Sequence, residues 1–105
     1  MIDEATIVEA GRRISEAAPD ARVILFGSHA RKSDVDHFSD MDLLVIEPEV
    51  EDVVEESVRL RRVLKGLGVP VDVIVVDKAL ARRRSVVAGT MVERALREGR
   101  VLVNA

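Results

Sequence analysis

The chain has 105 residues, a formal net charge of −3, 48% hydrophobic residues and no cysteine. That length leads us to expect one domain spanning residues 1–105, and the absence of thiols excludes disulfides and thiolate-bound metals. A negative net charge with only two aromatic residues, Phe26 and Phe38, argues against stable DNA binding, which calls for a basic face and stacking rings.

Residues 4–18 carry Ile7, Ala10, Ile14 and Ala17 or Ala18 at helical spacing, with Asp3 as the expected N-cap and Pro19 as the stop. Residues 21–27 (ARVILFG) are short, branched and apolar and end in Gly-Ser, the pattern of a buried strand. Residues 29–39 are polar and rich in turn formers, so a loop is expected there. Asp40 to Ile46 reads as the second strand.

Pro48 suits a first helical position, which predicts a helix over 48–67. Its acids fall in the first half and Arg59, Arg61, Arg62 and Lys65 in the second, as the helix dipole favours. Residues 69–76 are nearly continuous Val and Ile, which implies a strand buried on both faces. Residues 78–84 and 90–98 read as helices, and Arg100 to Val103 as a short final strand or an extended tail. The fold class expected is α/β, a small mixed sheet packed by helices in the order α-β-β-α-β-α.

No apolar run is long enough to span a membrane, and the acidic start Met1-Ile2-Asp3-Glu4 is unlike a signal peptide. A soluble, cytoplasmic protein is therefore expected.

The chemistry concentrates between Gly27 and Val45 (GSHARKSDVDHFSDMDLLV) and again at Val71-Asp72-Val73. Along a strand, residues i and i+2 point the same way, so Asp40 and Asp42 present two carboxylates from one face. Asp72 opens another apolar run and would supply a third from a neighbouring strand. Each of these acids alone is ordinary turn or edge chemistry. Together they repel one another unless a cation neutralises them, and hard cations such as Mg²⁺ favour such oxygen sets. Gly27 and Ser28 form a turn whose N–H groups and hydroxyl can face a phosphate, and Arg31 can fork onto two phosphate oxygens. His29 and His37 read as loop bystanders, Arg82-Arg83-Arg84 as a solvated face, and the acids of residues 47–56 as the exposed side of a helix.

Gly27-Ser28, eleven residues, Asp40-Met41-Asp42 with Leu43-Leu44-Val45, and later Asp72 within Val71–Val75 resemble the nucleotidyltransferase superfamily of DNA polymerase β. The small size is similar to its minimal nucleotidyltransferases, and the resemblance runs over essentially the whole chain. It implies that Gly27 and Ser28, with Arg31, hold a nucleotide triphosphate, most simply ATP. It implies that Asp40, Asp42 and Asp72 are the catalytic set and bind two Mg²⁺ ions. Transfer of AMP to a hydroxyl would follow, with a tyrosine of a HEPN-domain toxin as acceptor and this chain as antitoxin. The alternative is a non-catalytic antitoxin module that blocks its partner by occlusion, and homo-oligomers are open to either. Two departures stand out. The Ser28-to-Asp40 spacing is one residue longer than is usual in the family, and Lys32 replaces the usual glycine after the arginine.

Overall fold

The structure, a computed structural model, describes residues 2–27 and 41–105. Its elements run α1 (Glu4–Ala17), β1 (Arg22–Phe26), β2 (Met41–Glu47), α2 (Val53–Val63), β3 (Val71–Asp77), α3 (Lys78–Ser85), α4 (Met91–Glu98) and β4 (Arg100–Val103). The expected loop over 29–39, with Ser28, His29, Arg31, His37 and Asp40, lies outside the described residues.

Local sequence explains most of the boundaries. Asp3 caps α1 as expected, its Oδ1 accepting the Thr6 N–H at 2.9 Å, and Asp77 and Thr90 cap α3 and α4 in the same way. The second helix differs from its prediction. Pro48 does not start it: Asp52 does, accepting the Val54 and Glu55 N–H groups at 3.1 Å each. A proline is only tolerated at a helix start, whereas an aspartate satisfies donors that would otherwise be orphaned, so the cap decides the register. The helix also stops at Val63, before the glycines at 66 and 68.

Among the described residues, four strands form one sheet in the order β3-β2-β1-β4. β1 is antiparallel to both β2 and β4, and β2 is parallel to β3. The sheet is therefore mixed, and α2 is the crossover that parallel pairing requires. Period-2 alternation divides each central strand between two apolar layers. Val23, Leu25, Leu43, Val45, Val73 and Val75 pack against α1 and the Leu60 and Leu64 side chains. Ile24, Leu44, Ile46 and Val76 pack against Ala81 of α3 and Val92 and Ala95 of α4. The valine-rich β3 is an edge strand, yet its Val73, Val75 and Val76 are buried because helices cover both of its faces. Arg100 to Val103, left between strand and tail by sequence, is a strand because β1 offers it a pairing edge.

Candidate functional site

The register of the parallel pair places Asp42 directly beside Asp72. Neighbouring strands lie roughly 4.8 Å apart, so the two carboxylates leave the sheet side by side and on the same face. That face is the one Leu44, Ile46 and Val76 share with α3 and α4. Asp72 stays half-exposed, with 52% of its side chain accessible.

The antiparallel register puts Phe26 opposite Asp42, so Gly27 comes next to the same carboxylate. Gly27 has φ +82°, and a Cβ built on it would lie 2.9 Å from Asp42 Oδ2. Only glycine gives both the left-handed turn and this approach. The backbone leaving β1 thus brushes a carboxylate of β2, which is itself paired in register with Asp72. Gly27, Asp42 and Asp72 are brought together; Ser28, Arg31 and Asp40 fall outside the described residues.

Two arginines join this end of the sheet that motif reading did not single out. Arg61, on α2, reaches past the edge strand so that its Nη2 donates to Asp72 Oδ1 at 3.3 Å. Arg94, on α4, lines a cleft of about 100 Å³ with Phe26, Gly27, Met91 and Glu98. Neither was legible locally, since each belongs to a charged helix face whose direction depends on packing.

Among the described residues no three His, Cys, Asp or Glu side chains group closely enough to hold a metal ion. The expected third carboxylate, Asp40, is not among those residues. The donor chemistry of Asp42 and Asp72 nevertheless suits a hard cation. Both offer oxygen only, they are adjacent, and the half-exposed Asp72 already attracts a cationic group, the Arg61 guanidinium.

The sequence model of the nucleotidyltransferase domain matches residues 7–102, so the chain belongs to that family. No curated protein matches the sequence. Among solved structures, a presumed nucleotidyltransferase from Sulfolobus solfataricus is 27% identical, with a TM-score of 0.58 over 75% of this chain and 70% of that one. A mutant of the MntA-HpeT toxin–antitoxin is 18% identical, with a TM-score of 0.61 over 99% of this chain and 75% of that one. A toxin–antitoxin solved with AMP-PNP is 19% identical, with a TM-score of 0.64 over the same shares. The last two likenesses establish the fold.

Proposed function

We propose that this chain transfers a nucleoside monophosphate, AMP from ATP, to a hydroxyl of a protein partner and acts in this way as an antitoxin. The observation that carries the reading is the Asp42–Asp72 register pair with Gly27 against it. Two toxin–antitoxin structures of the same fold, one solved with AMP-PNP, support the nucleotide and the role. The mutant among them, D39ED41E, alters two aspartates at the spacing of Asp40 and Asp42 here. A tyrosine of a HEPN-domain toxin is the acceptor we infer.

In this reading Gly27 and Ser28 hold the triphosphate through backbone N–H groups and a hydroxyl, and Arg31 forks onto its oxygens. Asp40, Asp42 and Asp72 would hold two Mg²⁺ ions. When bound, these supply positive charge that lowers the pKa of an attacking hydroxyl and offsets charge on the leaving pyrophosphate. Asp72, half-exposed, orients the acceptor hydroxyl and can take its proton. Arg61 neutralises Asp72 and would give way as the acceptor enters.

The test incubates the purified chain with Mg²⁺, ATP and the product of the adjacent gene, and reads the intact mass of that product. One adenylyl group should appear with the wild type and not with Asp42→Asn or Asp72→Asn. No gain with the wild type, while the partner is still inhibited, would replace transfer by occlusion.

A further inference from the structure

A cationic pocket lies at the end of the sheet remote from Asp42 and Asp72. Arg22 opens β1 five residues before Gly27, about 16 Å away along an extended strand. Its side chain enters a concavity of about 320 Å³ that Lys78 and Arg82 of α3 also line, with Ile46, Ala81 and Leu96 among its apolar walls. That size falls in the range of small-molecule sites. No acidic side chain lines it; Asn104 and Ala105, the last residue of the sequence with its backbone carboxylate, reach its rim, yet among the described residues none of the three cations forms an ion pair, with that carboxylate or any other, or a side-chain hydrogen bond.

The Arg22 Nε is buried and has no hydrogen-bond partner among the described residues. A charged donor buried without an acceptor is costly and calls for an explanation. The placement of Lys78 is equally unusual, because it puts a cation in the first turn of α3, at the positive end of the helix dipole. The nearest acid in sequence, Asp77, is engaged as the cap of that helix, accepting the Leu80 N–H at 2.7 Å. Glu47, its neighbour across the register, belongs to the opposite face of the sheet.

We infer that this pocket binds a small phosphorylated anion. The Arg22 and Arg82 guanidinium groups would fork onto its oxygens, and Lys78 would add a point charge. The site is separate from the proposed transfer site, and the inference does not rest on nucleotidyl transfer.

The experiment titrates isotope-labelled full-length chain with inorganic phosphate at constant ionic strength, without divalent cations, and follows backbone amide shifts. Saturable shifts are expected at Ile46, Ala81 and Ser85, with Gly27 and Asp42 unmoved. Arg22→Gln should weaken the affinity about tenfold, the size of one lost charge-assisted contact. The exposed variants Lys78→Gln and Arg82→Gln should weaken it as well, and they decide the matter if Arg22→Gln does not fold. Shifts that do not saturate, that are unchanged in the exposed variants, or that concentrate at Gly27 overturn the inference. So does a response to a single-stranded oligonucleotide without one to phosphate, which would make the pocket a polynucleotide contact.

Discussion

Gly27 is where backbone conformation and chemistry meet. A Gly27→Ala substitution would strain the left-handed turn and push a methyl group into the Asp42 carboxylate. The stability loss expected is about 1 kcal/mol, while nucleotidyl transfer should fall at least about tenfold because the carboxylate itself is displaced. Thermal denaturation and a transfer assay on the same preparation separate the two effects. Equal activity in the variant would remove Gly27 from the site.

A second residue-scale feature is the carboxyl pair of Glu47 and Glu56. Burial, reinforced by the neighbouring Glu56 carboxyl, pushes Glu47 up to about 7 from 4.5. The Arg59 guanidinium, forked onto Glu56 at 2.7 Å to each oxygen, holds that residue down to about 2. The acids of 47–56 are thus not all on an exposed helix side. Glu47 ends β2, half-buried, with a buried oxygen that has no partner among the described residues. For Glu47 the folded state holds the proton more tightly than the unfolded chain. Its contribution is therefore complete below about pH 4.5 and is lost as pH rises through about 7. Glu56 works in the other direction, stabilising above about pH 4.5 and losing its contribution on acidification towards about 2. Glu47→Gln should abolish the decline between pH 4.5 and 7 and leave the variant more stable than the wild type above that window. Melting curves across pH test this, and parallel profiles for both proteins would refute it.

At the scale of elements, the crossover helix α2 depends on its cap more than on its proline. Asp52→Ala should cost about 1 kcal/mol, read as a lower melting temperature, because two N–H groups lose their acceptor. Gly99 governs another junction, the passage from α4 to β4. It has an ordinary φ of −78°, but a Cβ there would sit 2.3 Å from the Ala95 carbonyl oxygen and 2.5 Å from Ile24 Cγ2. Space, not dihedral strain, demands glycine at this position. Gly99→Ala should destabilise by about 1–3 kcal/mol through overpacking, measurable by denaturant titration. In the sequence Gly99 looks like any glycine after a helix, since part of its crowding, from Ile24 and Leu25, comes from a strand seventy-odd residues earlier.

At the scale of the whole molecule, one sheet divides two apolar layers, and each layer needs helices from a different part of the chain. α1 and α2 cover one face and α3 and α4 the other. Leu43 and Leu44, adjacent in sequence and both fully buried, point into opposite layers. Leu43→Ala and Leu44→Ala should each cost about 2–5 kcal/mol, and each should lower one shared unfolding transition, because β2 belongs to both layers. Two separate transitions in either variant would show the layers to be independent. Among the described residues no helix is long and apolar enough to cross a membrane.

Element types were legible in the sequence because apolar periodicity, capping residues and turn formers act within a few positions. The helix after Asp3, the strand before Gly27 and the valine-rich run read over 69–76, observed as Val71–Asp77, are local facts of this kind. So was the pairing of an acid at 42 with one at 72 as a suspicion, since both open apolar runs. Their adjacency was decided only by the parallel register of β2 and β3, set by how α2 packs the crossover. Arg61 at Asp72, the Glu47–Glu56 pair and the Arg22 Nε, which has no hydrogen-bond partner among the described residues, likewise arise where distant segments meet. Short-range preferences fix what each segment becomes, while contacts between segments far apart in the chain fix which charges face each other.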